Sequence, residues 1–279
     1  MRLPKGQPSM HLKRWLTGIV AVPILIYIIG FGPRRLFHLL LLLAALQGVI
    51  EFYRIVCPEL PKVLRWAMLG LTAVLFPALS FGGFFLLAAV VFLWVLVPMT
   101  YFMLAYPSSG SGSTEIMGKA VLAPLYVALP LSLLVVIDRF PGGNLWIFFL
   151  LAAVFANDTG AFYAGRSLGR RKLHPSVSPG KTWEGAVGGW LAALLAAWIW
   201  CAGSGLHPFD LAMGALAAGV AVLGQIGDLA ESMLKRSHGV KDSGGILPGH
   251  GGILDRIDGL LFAVPLLYVF LTWSVPGRG

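Results

Sequence analysis

The sequence predicts an all-α fold, a polytopic transmembrane helical bundle of about nine helices with a cytoplasmic N-terminus, on three observations. The chain has 279 residues and is 57% hydrophobic with a mean hydropathy of +0.81, whereas the apolar share of a soluble domain is about 45–50% with glycine included. Runs such as Leu36 to Ile50 and Phe84 to Leu104 are almost bare of charge, close to the ~20 residues needed to cross ~30 Å of hydrocarbon at 1.5 Å per residue. The cations are also sorted by side. With the N-terminus inside, every one of the 21 lysines and arginines except Arg34, Arg35, Arg139 and Arg278 falls in a cytoplasmic segment, as expected of short loops.

The spans follow in order. Leu16 to Gly32 comes after Lys13 and Arg14 and lacks a small-residue cleavage site before Pro33, so it is expected to be a retained anchor. Leu36 to Ile50, Leu64 to Ser80 and Gly82 to Leu104 come next. The boundary from Ser80 to Gly83 carries no charge, which makes eight spans the alternative count. Lys119 to Ile137 closes the first half, after a Gly/Ser-rich loop from Pro107 to Thr114. Leu145 to Gly165, Gly185 to Gly203, Phe209 to Leu229 and Ile257 to Trp273 complete the set.

The net charge of +9 is explained by this asymmetry and by attraction to a membrane surface. No basic run is interleaved with base-stacking aromatics, so nucleic acid is not an expected partner. Trp15, Trp66, Trp146, Trp183 and Trp273 lie near span ends and are expected to act as interfacial anchors. Cys57 and Cys201 are too few and too far apart for a disulfide framework or a zinc site, and read as packing residues.

Residues 1–140 form the N-terminal transmembrane helices and contain only four carboxylates, Glu51, Glu59, Glu115 and Asp138. Residues 141–279 hold the other eight, and the chemistry is expected in this C-terminal catalytic region. Four polar clusters punctuate it. Asn157 and Asp158 sit inside a span, where a charge costs at least ~2.5 kcal/mol and therefore faces a polar cavity, unless the pair only bonds a neighbouring helix. Ser178 to Gly185, SPGKTWEG, opens the next span. Gly180-Lys181-Thr182 matches the end of a phosphate-binding loop but Pro175 stands where its first glycine is required. A turn feeding a helix start still offers backbone N–H groups and Lys181 to an anion, with Thr182 and Glu184 beside it; an ordinary helix start with a snorkelling lysine is the plainer alternative.

The third cluster places Asp228, Glu231, Ser232 and Lys235 on one helical stripe, followed by Arg236. The fourth, Gly249 to Gly259, brings Asp255, Arg256 and Asp258 into the last span behind several glycines, with His250 before them. Two carboxylates entering a membrane are costly unless neutralised, and hard oxygen ligands suit magnesium with room for substrate phosphates. His250 has no second histidine or cysteine at ligand spacing, which argues against zinc. Oxygen ligands for metal, cations for phosphate and a helix start together suit phosphoryl or nucleotidyl transfer to a lipid. The spacing names neither the nucleotide nor the lipid.

Ser232 to Asp258, SMLKRSHGVKDSGGILPGHGGILDRID, resembles the signature of the phosphatidate cytidylyltransferase (CDP-diglyceride synthase) family. Asn157-Asp158 and Ser178 to Gly185 resemble that family's other blocks in the same order. The resemblance implies an enzyme that condenses CTP with phosphatidic acid to CDP-diacylglycerol and pyrophosphate in phospholipid biosynthesis. It further implies magnesium, with a second, monovalent cation such as K+, a homodimer among membrane lipids, and a cell (inner) membrane location in a bacterium with the site facing the cytoplasm. By motif position it implies Asp228 and Asp255 as metal ligands supported by Asp258 and Glu231. Lys181, Lys235, Arg236, Lys241 and Arg256 are then expected to hold the triphosphate and phosphatidate. A transporter using Asp158 and Asp228 as an ion path, or a CTP-dependent transferase acting on another lipid, are the alternatives. A GxxxG spacing at Gly185 and Gly189 is a further feature compatible with a dimer.

Overall fold

The computed structural model describes residues 22–81, 84–106, 110, 112–246 and 251–274. Residues 22–32 are the described part of the first expected span, helical over 22–30, and residues 16–21 lie outside the described residues. The long helices that follow are α1 (Arg34–Val56), α2 (Lys62–Phe81) and α3 (Phe84–Ala105). α4 (Ser113–Ala123) runs through a π-helical turn, Pro124–Ala128, into α5 (Leu129–Ile137). The turn has a local cause: Pro124 and Pro130 lack an N–H, and the Leu129 N–H bonds back to the Pro124 carbonyl five residues earlier. α6 (Gly143–Leu168), α7 (Trp183–Ser204), α8 (Leu211–Ser237) and α9 (Leu254–Ser274) make up the second half. Eight stretches among the described residues are long and apolar enough to cross a membrane, each the counterpart of a span expected from sequence, so the chain is a multi-pass membrane protein.

One element was not expected. Between α6 and α7 the chain forms an antiparallel hairpin, β1 (Lys172–His174) and β2 (Ser178–Thr182), with Lys172 opposite Thr182 and a bulge between. Gly180-Lys181-Thr182 is therefore strand, not a cradle loop. Thr182 caps α7 by accepting from the Gly185 N–H at 3.1 Å, and the Trp183 N–H donates to the Arg171 carbonyl at 2.9 Å. The helix start thus already has acceptors for two of its N–H groups.

The helices share one apolar core. Phe52, Met68, Trp94 and Val127 from the first half are buried in the same cluster as Phe149, Leu150, Met213 and Val264 from the second. α6 and α7 approach backbone to backbone. A Cβ on Gly189 would come to 2.5 Å from the Asn157 carbonyl oxygen, and one on Gly160 to 2.5 Å from the Ala192 Cβ. The Gly185 and Gly189 spacing is thus used inside the chain, against α6, where small residues let helices meet closely.

Trp66, Trp183 and Trp273 are exposed, as interfacial anchors should be, but Trp146 is 4% exposed and packs against Phe149 and Phe270. It is a core residue, because α6 begins inside the bundle and its first turns face α9. Trp15 lies outside the described residues. Cys57 and Cys201 are buried free thiols; burial, with Glu59 beside it, pushes the Cys57 thiol up to about 11, which keeps it protonated. Arg34, one of the cations on the minority side, bonds Asp138. His38 lies 3.3 Å from the other oxygen of Asp138 and 3.3 Å from the Ser80 hydroxyl. That network ties together the ends of α1, α2 and α5 away from the polar clusters.

Candidate active site

All four polar clusters contribute to one cavity, the Asn157-Asp158 pair whole and the other three in part. A cavity of about 630 Å3 is bounded by α6, the hairpin, the start of α7, the second half of α8 and the first turn of α9. Its walls carry five carboxylates, Asp158, Asp228, Asp242, Asp255 and Asp258, and four cations, Arg166, Lys181, Lys235 and Arg256. A site so nearly balanced in formal charge has no large surplus of cations for a polyanion.

Each wall has a local reason. Asp210 caps α8, its Oδ1 accepting from the Met213 N–H at 2.9 Å. The helix then runs 27 residues, about 40 Å at 1.5 Å per residue, which carries Asp228 and Lys235 to one end of the bundle. The hairpin folds Lys181 back over that end, and its ammonium meets Asp228 Oδ2 at 2.5 Å. Glu184, in the first turn of α7, accepts from the backbone N–H groups of Arg170 at 3.0 Å and Arg171 at 3.2 Å. It thereby holds the approach to the hairpin, and it does not line the cavity.

Lys235 is the hinge of the acidic side. Its ammonium pairs with the Glu231 carboxylate, which is 1% exposed, and with Asp255 Oδ1 at 2.6 Å. Asp255 Oδ2 accepts from the Ser243 N–H at 2.9 Å and the Gly252 N–H at 2.8 Å, and lies 2.9 Å from the Ser243 hydroxyl. Oδ2 thus has three partners and Oδ1 one, the Lys235 ammonium, so Oδ1 is the less crowded oxygen. Among the described residues, Asp258 Oδ1 accepts only from the Gly259 N–H at 2.8 Å, and Asp158 has only the Asn157 amide, at 3.5 Å. Asn157 is fully buried and receives a 2.7 Å hydrogen bond from Gln225, which also donates to the Ala186 carbonyl at 3.0 Å.

The structure therefore brings Asn157, Asp158, Lys181, Thr182, Asp228, Lys235, Asp255, Arg256 and Asp258 to one cavity. It leaves others at the margin. Ser232 sits 3.5 Å from Asp228 Oδ1, Arg236 donates to the Val240 carbonyl at 3.1 Å, and Lys241 is exposed beyond the rim. His250 lies outside the described residues. Sequence reading missed Arg166, Gln225 and Asp242 as lining residues, and Ser243 behind them. Gln225 is polar within an apolar run, the same signal that singled out Asp158.

The oxygen donors suit a hard divalent cation. Asp158, Asp228 and Asp258 line the cavity with few competing donors among the described residues, whereas Glu231 is paired with Lys235 and does not line it. Among the described residues no three acidic, histidine or cysteine side chains form a ready-made metal cage.

Residues 12–274 match the model of the cytidylyltransferase family. The chain is 34% identical over 268 residues to the phosphatidate cytidylyltransferase of Bacillus subtilis, covering 93% of this chain and 97% of the relative. It is 36% identical over 275 residues to that of Pseudomonas aeruginosa, covering 95% and 98%. To the Brucella suis protein of the same name it is 48% identical over 145 residues, about half of each chain.

Proposed function

The chain belongs to the cytidylyltransferase family, and from that premise we propose that it transfers the cytidylyl group of CTP to phosphatidate, giving CDP-diacylglycerol and pyrophosphate. The observation that carries this reading is the cavity of about 630 Å3 at the ends of membrane-crossing helices, lined by both carboxylates and cations. A lipid phosphate can reach it from the bilayer surface and a nucleotide from water. We place that surface on the cytoplasmic side, where CTP is found and where the loop cations concentrate.

The reaction needs no covalent protein intermediate, because the nucleophile is already an anion. A phosphate oxygen of phosphatidate forms a bond to the α-phosphorus of CTP, and the bond from that phosphorus to the bridging oxygen of the β-phosphate breaks in line, its electron pair leaving with pyrophosphate. The barrier is mutual repulsion of two polyanions, and the protein lowers it by holding both in register. Arg166 and Arg256 line the cavity and, among the described residues, make no ion pair; their guanidinium forks are the groups best suited to phosphate. Lys181 can exchange Asp228 for a phosphate, while Lys235 stays with Glu231 and Asp255. Asp228, Asp255 and Asp258 are the residues that would hold magnesium. When bound, the ion supplies charge that offsets the repulsion between the substrates and the charge developing on pyrophosphate.

The decisive assay incubates purified protein with magnesium, CTP and a panel of lipid phosphates and identifies the nucleotide-bearing lipid. CDP-diacylglycerol and an equal amount of pyrophosphate are expected from phosphatidate. A preference for another lipid phosphate, or no product, would replace this reading. Within the same assay, Lys181→Ala is expected to raise KM for CTP about tenfold, the loss of one charge-assisted contact. An unchanged CTP dependence would assign Lys181 to the hairpin alone.

A further inference from the structure

Glu51 lies in α1, outside the region in which the sequence concentrates its chemistry, and its side chain does not line the cavity. It is nevertheless fully buried, and the described residues give it four neutral partners and no cation. Oε1 accepts from the Gln47 amide at 3.0 Å and from the Ile253 N–H at 3.1 Å. Oε2 accepts from the Leu254 N–H at 2.9 Å and lies 3.0 Å from the Ser243 hydroxyl. Two of these donors open α9, so the carboxylate caps a helix some 200 residues away in sequence, at the end where the helix dipole favours negative charge.

The Ser243 hydroxyl also lies 2.9 Å from Asp255 Oδ2. It has one proton, so it serves one carboxylate at a time and joins Glu51 to Asp255 through a single bridge. The surrounding backbone is shaped to this carboxylate. A Cβ on Gly252 would overlap both the Ser243 hydroxyl and Glu51 Oε2, and one on Gly244 would come to 2.8 Å from Glu51 Oε1. Glycines at these two positions let the backbone there approach a carboxylate from the other half of the chain.

We infer that Glu51 is a positioning residue for the transfer reaction. It fixes Ser243, Ile253 and Leu254 and the first turn of α9, and through them the orientation of Asp255, Arg256 and Asp258 toward the reacting phosphates. This inference rests on the proposed transfer for its kinetic consequence but not for its structural one. Glutamine at position 51 keeps the size and removes one acceptor. Gln47 or Ser243 can turn to accept from the new amide, but a backbone N–H cannot, so either Ile253 or Leu254 loses its partner.

The test compares full-length wild type and Glu51→Gln in detergent by kinetics and by amide hydrogen exchange. The kcat of Glu51→Gln is expected to fall about 10–100-fold, as for other residues that orient a site from behind, with KM for CTP within about threefold because Lys181 and Arg166 stand on other elements. Exchange at Ile253 and Leu254 is expected to quicken at least about tenfold, while exchange in the middle of α6 and α7 stays as in wild type. Wild-type kcat, or unchanged exchange at these amides, overturns the inference. A fall in kcat matched by faster exchange throughout would also overturn it, reducing Glu51 to a general stabiliser. If Glu51→Gln does not fold, Ser243→Ala removes the bridge alone: a severalfold loss of kcat at unchanged KM is expected, and full kcat overturns the inference. Should the wild type make no CDP-diacylglycerol, the proposed function falls, and the exchange measurement still decides whether Glu51 anchors the loop.

Discussion

Asp228→Asn is expected to lower kcat for cytidylyl transfer by about 10²–10³-fold, the loss typical when one electrostatic group facing the reacting atoms is removed. The effect is expected without loss of the fold. The Asp228 side chain is 35% exposed, its partner is Lys181 from the hairpin, and the nearby Ser232 hydroxyl is 3.5 Å away. Asparagine fits the same space and leaves Lys181 free to find water. What changes is the charge on the wall shared with Asp158 and Asp258. If the substrates approach there, the variant keeps its thermal midpoint, loses turnover, and needs more magnesium to reach half its residual rate. Activity within about tenfold of wild type at the same magnesium concentration would move the reacting phosphates away from Asp228 and toward Asp255.

The fold was largely legible because the signal was redundant. Length, hydropathy and cation sidedness each reported the same spans, and eight have counterparts among the described residues. The hairpin at Lys172–Thr182 was not legible, because strands of three and five residues with glycine and proline inside carry no period to read. Trp146 shows a different failure: position near a span end does not say which way the ring faces, and packing against Phe270 decided it. In the candidate site, motif position found the residues on β2, α8 and α9 because they stand at or near the ends of spans, and those on α6 because they are polar inside one. Glu51 escaped although it obeys the rule that singled out Asp158, an ionisable residue within an apolar helix. Its near neighbours Arg54 and Glu59 made it look like ordinary loop-edge charge. Its partners stand some 200 residues away, and no local pattern announces an acceptor for N–H groups at the start of another helix.

Lys235→Met is expected to be the most destabilising single change at the site. One ammonium serves two buried carboxylates, Glu231 at 1% exposure and Asp255 with a side chain 7% exposed. Methionine fills the space but removes the only cation paired with either of them among the described residues. Breaking a buried ion pair from one side costs about 3–5 kcal/mol, so the thermal midpoint in detergent is expected to drop by roughly 10 °C. The second carboxylate separates charge from packing. Asp255 still has the Ser243 and Gly252 N–H groups, whereas Glu231 Oε1 has no hydrogen-bond partner among the described residues. Adding Glu231→Gln to Lys235→Met therefore removes the charge with no other support, and about half of the lost stability is expected to return. Glu231→Gln alone leaves Lys235 paired with Asp255 and is expected to cost far less. A midpoint for Lys235→Met within about 2 °C of wild type would mean that water reaches Glu231 and solvates it. A double variant no more stable than Lys235→Met would place the cost in packing around the lysine stem, not in the uncompensated charge.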